Sequence, residues 1–118
     1  MKEAVTVRPI PRSLLIHAAI YKPYPAGDGF GTPATAADIS LDHIRMEPSH
    51  QLTRTKDNNE VKLRALLIYD ARSSNPGGMD FSGAEGNRIL FGSELYKIVS
   101  SEPLYDNHRL HHWELGLI

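Results

Sequence analysis

The last third of the chain constrains its fold most. Two β-rich runs, one ending at Phe91 and one starting at Glu94, are separated only by Gly92-Ser93. A two-residue type II′ turn needs φ > 0 at its first central position, which a glycine supplies, so residues 87–102 are expected to form a hairpin. In its second strand Leu95 and Val99 share a face interrupted by Lys97, and Tyr96 and Ile98 share the other. The closing segment alternates without a break. His111, Trp113, Leu115 and Leu117 fall on one side, and His112, Glu114 and Gly116 on the other. Trp113, Leu115 and Leu117 are therefore expected in the core beside Leu67 and either Leu95 or Ile98, with the C-terminus tied in by its own strand. That pattern describes a scaffold rather than a catalytic centre.

The rest of the chain reads as more β-structure joined by two long loops. Pro9-Ile-Pro11 blocks helix and predicts an extended arm over residues 1–12. Residues 13–21 predict a strand with Leu14, Ile16, Ala18 and Ile20 on one face and Leu15, His17, Ala19 and Tyr21 on the other. Residues 38–47 predict a second strand in which the apolar parity slips between Leu41 and Ile44. A β-bulge near Asp42-His43 would return both sets to the core. After the polar stretch 49–60, expected as a turn or solvated hairpin tip, residues 61–70 predict a third strand. Its Leu63, Ala65, Leu67 and Tyr69 alternate with Lys62, Arg64, Leu66 and Ile68. Segments 22–37 and 71–86 carry clustered Gly and Pro and no periodicity, and Asn75-Pro-Gly-Gly is a strong turn signal. The expected architecture is one all-β domain over residues 1–118, a small barrel or sandwich of about six antiparallel strands.

Composition excludes several function classes. At 118 residues the chain can bury a core without staples. With no cysteine it forms no disulfide, thiolate metal site or cysteine nucleophile. A formal net charge of −1 gives no general attraction to nucleic acid. No apolar run reaches the roughly 20 residues of a membrane span, and the N-terminus lacks the apolar segment of a secretory signal, so a soluble protein made in a cytoplasm is expected.

The chemistry-bearing residues do not assemble into a site. Of the six histidines, His108, His111 and His112 are the closest to a ligand set. Adjacent strand residues point to opposite faces, so His111 and His112 are not expected to share an ion; one should pack beside Trp113 and the other meet solvent. Gly27-Asp-Gly-Phe-Gly lacks the flanking strand and helix of a dinucleotide fingerprint and the Lys of a P-loop. Arg54, Lys56, Lys62 and Arg64 are interspersed with Asp57 and Glu60 and have no interleaved aromatics, as on a solvated hairpin. No catalytic, cofactor-binding or metal-ligating residue is assigned.

An ordered set of segments carries a resemblance. Ile10-Pro-Arg-Ser-Leu-Leu-Ile-His17, Leu41-Asp-His-Ile-Arg-Met-Glu-Pro48, Leu67-Ile-Tyr-Asp70 with the Ser-Asn-Pro loop after it, Phe91-Gly-Ser-Glu-Leu-Tyr96, Ser101-Glu-Pro-Leu-Tyr-Asp106 and Leu110-His-His-Trp-Glu-Leu-Gly-Leu117 span nearly the whole chain. Together they resemble the minor capsid proteins of tailed bacteriophages and of prophages in Gram-positive bacteria. Gly92-Ser93 stands where that pattern has an Asn-Gly turn, one favoured hairpin turn in place of another. The resemblance implies a non-enzymatic structural protein of the virion, assembled in the bacterial cytoplasm and similar to head-completion or stopper proteins. Those are small β-barrels forming a homo-oligomeric ring beneath the portal and adaptor. They meet the tail-completion proteins and let DNA pass without sequence-specific binding, and no membrane is involved.

In that setting the two long loops are the expected contact elements, mobile in the free subunit and ordered against neighbours. Their Tyr24, Phe30, Met79 and Phe81 are the candidate contacts, since interfaces favour aromatic and Met side chains. The alternative for Met79 and Phe81 is that they fold back over the barrel's open end. A monomeric β-sandwich that holds a ligand in its loops is the competing function, and a small histidine-based hydrolase the third.

Overall fold

The computed structural model describes residues 8–23, 37–55, 57–107 and 109–118. These form eight strands: β1 (His17–Lys22), β2 (Ile39–Pro48), β3 (Leu52–Arg54), β4 (Glu60–Lys62), β5 (Ala65–Asp70), β6 (Arg88–Phe91), β7 (Glu94–Tyr105) and β8 (Leu110–Leu117). Six of them close an antiparallel barrel in the order β1-β2-β5-β8-β7-β6, and β3-β4 is a separate two-stranded hairpin. There is no helix among the described residues.

The inward sets follow the sequence alternation. Leu67, Tyr69, Trp113, Leu115 and Leu117 are buried together with Ile98, Leu41, Ile44 and Ile89. β5 and β8 pair Leu67 with Leu115 and Tyr69 with Trp113, so these side chains share the inner face. Leu95 points outward, and only Ile98 of the two expected neighbours belongs to the core. The parity slip in β2 is a bulge: the register with β1 shifts between His17–Ile44 and Ala19–Leu41. His43 within it sits at φ +54°. Gly92 has φ +61° while Ser93 does not join it in the left-handed region, which makes the β6–β7 turn type II′ between the paired Phe91 and Glu94.

Two expectations on boundaries are corrected. The first strand begins at His17, because residues 11–15 form a turn in which the amides of Leu14 and Leu15 donate to the carbonyls of Pro11 and Arg12. The third strand is two strands, since the chain changes partners at Leu63-Arg64: β4 pairs with β3, then β5 with β2 and β8. Leu63 at that break is buried against the outer face of β8, where it covers Gly116. A Cβ at Gly116 would lie 2.3 Å from Ser100 Oγ and 3.0 Å from Leu63, so those side chains would have to shift to admit one.

Candidate interaction surface

The loop between β5 and β6 is built onto the barrel, which corrects the expectation that residues 71–86 are mobile. Asp70, fully buried, accepts the amides of Arg72 and Ser73 on Oδ1, both at 2.9 Å. Ser74 Oγ accepts the Asp70 amide at 2.9 Å and donates to the His43 carbonyl. Asn75 and Asp42 exchange backbone hydrogen bonds of 2.9 and 3.0 Å. The Tyr69 hydroxyl donates to the Pro76 carbonyl and accepts the Met79 amide at 3.2 Å. Burial raises the Tyr69 pKa above that of a free phenol; the Met79 amide opposes the rise and the Asp70 charge adds to it. At the loop's outer turn, hydrogen bonds from Ser82 lower the pKa of Asp80.

The aromatic side chain of this loop is core. Phe81 is fully buried, with ring centroids 5.3 Å from Tyr21, 5.3 Å from Tyr69 and 5.8 Å from Trp113, all edge-to-face. Met79 is half-buried against the same cluster. As a contact residue Phe81 is therefore corrected: it fills the barrel interior between the two tyrosines and the tryptophan, whereas Met79 keeps part of its surface. Tyr24 and Phe30 lie outside the described residues.

Among the described residues, Leu14 and Ile16 before β1, Leu52 of β3, and Leu95 and Tyr105 of β7 are the large apolar side chains that face solvent. Ile16 is 67% exposed and Leu95 53% exposed. On the outer face of the wall, Ile20 of β1 pairs with Leu90 of β6, and Leu90 with Leu95 of β7. With Ala18, they form an apolar band across three adjacent strands. The next register line is basic: Lys22 opposes Arg88, and Arg88 opposes Lys97. Like charges directly opposite one another across strands cost stability. Lys22 is compensated by Asp38 at 2.8 Å, and Arg88 donates to the Gly86 carbonyl at 2.6 Å. An apolar band edged by charge is the layout of an interface core with a polar rim. The sequence carried a signal for it: residues 14–21 are apolar at both parities, whereas a barrel strand with one wet face needs only one apolar set.

One open cleft of about 490 Å³ is lined by Arg12, Leu15, Ile16, His17, Ala18, Asp42, His43 and Asn75. His17 is committed to the fold there, its Nδ1 accepting the Met46 amide at 3.0 Å. Among the described residues no group of three or more His, Asp or Glu side chains is placed to hold a metal ion.

The model of the minor capsid protein family matches residues 11–117. The chain belongs to this phage minor capsid protein family. The match covers the barrel from the turn before β1 to the end of β8, so the conclusion applies to the whole described fold. Searches of curated proteins and of solved structures returned no match. As a family of capsid proteins it places the chain in the virion as a structural component. No helix among the described residues is long and apolar enough to cross a membrane.

Proposed function

We propose that this minor capsid protein is a ring subunit of the head–tail junction, acting as a head-completion or stopper protein between the portal–adaptor complex and the tail-completion proteins. The observation that carries this reading is the outward apolar band of Ile16, Ala18, Ile20, Leu90 and Leu95 on a barrel whose interior is already filled. A monomer gains nothing from such a band, whereas a ring is built from one surface repeated against a neighbour. The closed barrel gives each subunit a rigid wall, and burying the band between copies would remove apolar area from water at about 25 cal/mol per Å². The near-neutral formal charge of −1 suits a channel component past which DNA slides, because tight phosphate binding needs clustered Lys and Arg.

Deleting the gene should leave heads that package DNA but neither retain it nor join tails, with normal head shells. Supplying the chain in trans should restore tailed particles. Loss of head shells, or full infectivity without the gene, would contradict the assignment.

A further inference from the structure

Two adjacent histidines near the start of β8 do something the period-2 rule does not anticipate. The Nδ1 atoms of His111 and His112 are 2.8 Å apart, which corrects the expectation that the two rings face away from each other. The register of β7 on β8 shifts between Leu104 and Tyr105, opposite this stretch, and that irregularity lets the rings converge. His111 Nε2 lies 2.6 Å from the carbonyl oxygen of Arg8 in the N-terminal arm. His112 Nε2 lies 3.0 Å from Glu114 Oε2. The four groups form one line: arm carbonyl, His111, His112, carboxylate.

Proton counting along that line gives a definite result. A carbonyl only accepts, so His111 Nε2 carries a hydrogen, and in the neutral ring Nδ1 is then a bare acceptor. His112 Nδ1 must donate to it. The Glu114 carboxylate also only accepts, so His112 Nε2 must donate as well. The line is satisfied when His112 is an imidazolium and His111 is neutral. With one proton fewer, either two lone pairs meet at 2.8 Å or a bare Nε2 faces a carboxylate.

We propose that His111, His112 and Glu114 form a proton-operated latch that holds the N-terminal arm on the barrel. The latched pair holds one proton, whereas a released pair can carry none or two, so the latch is favoured where one proton is bound and weakens when that proton is lost or when His111 takes a second and no longer accepts from His112. Glu114 is the carboxylate in contact with His112; Glu102 of β7 is paired opposite Glu114, and Asp70 of β5 opposite His112. On the basic side are Arg8 and Arg12 of the arm, Arg72 after β5 and Arg109 in the β7–β8 turn, all solvent-exposed. Leu104, the other neighbour of His112, is uncharged. A second fastening, the Ile10 amide on Asp70 Oδ2 at 2.8 Å, reports on the arm.

The test follows the full-length protein by NMR between pH 5.5 and 8. Imidazole nitrogen shifts read the protonation of each ring, and hydrogen exchange of the Ile10 amide, corrected for intrinsic rates, reads arm closure. While the arm is closed His112 should be doubly protonated and His111 a neutral Nε2–H tautomer. Protection at Ile10 should fall about tenfold or more as His112 loses its proton, the scale of one charge-assisted hydrogen bond. Glu114→Gln should abolish this pH dependence, because an amide NH₂ can donate to a neutral His112 and leave Nδ1–H for His111. Protection at Ile10 that is flat with pH in the unmodified chain would overturn the latch. So would unchanged pH dependence in Glu114→Gln, or neutral His112 while the arm is closed.

Discussion

Phe81→Ala is expected to cost about 3–5 kcal/mol of folding stability, the range for truncating a fully buried aromatic, and to lower the melting temperature by roughly 10–25 °C. The reason is geometric. Phe81 stands at the centre of three edge-to-face contacts, with Tyr21, Tyr69 and Trp113, each worth something beyond simple burial, and none of these rings has another residue to fill the gap. Met79→Ser, at a half-buried position on the rim of the same cluster, should cost distinctly less. Thermal or urea unfolding of the isolated chain measures both. Near-unchanged stability for Phe81→Ala would mean that the loop lies free of the barrel.

Ile16→Asp combined with Leu95→Asp should do the reverse: leave the subunit folded and stop it assembling. Both side chains point away from the core, so the change in monomer stability should stay within about 1 kcal/mol. In an interface the same two positions would bury carboxylates without partners. Losses of 2 kcal/mol or more are typical at a single central contact, so association should weaken about 10³-fold or more for the pair. Analytical ultracentrifugation measures self-association, and complementation of a gene deletion measures tail joining. A folded double variant that still assembles and complements would move the interface off the β1–β6–β7 wall.

How much of this was legible in the sequence differs from element to element, for physical reasons. β8 could be read almost residue by residue, because one face meets a dry interior and the other does not, so Trp113, Leu115 and Leu117 stand out by parity alone. The β2 bulge was legible for the same reason: a slip in parity between Leu41 and Ile44 has no other economical explanation. Gly92-Ser93 was legible through turn chemistry. Phe81 was not, since a loop has no period to say which side is in, and an aromatic among glycines fits a surface contact and an interior plug equally well. The change of partners at Leu63-Arg64 was hidden because Leu63 is buried like its inward neighbours Ala65 and Leu67, although it packs on the outer side of Gly116. The outward band was present as the two apolar parities of residues 14–21, but alternation alone does not say which parity faces the barrel interior. The meeting of His111 and His112 depends on a register shift in the neighbouring strand, which local pattern cannot carry.

Cryo-electron microscopy of tailed particles from the phage or induced prophage that encodes this chain tests the central assignment most directly. A ring of density between the head vertex and the tail should accept the six-strand barrel, with the Ile16–Leu95 wall of each copy against its neighbour. Particles that lack the protein, or that carry it across the head shell away from the junction, would contradict the assignment.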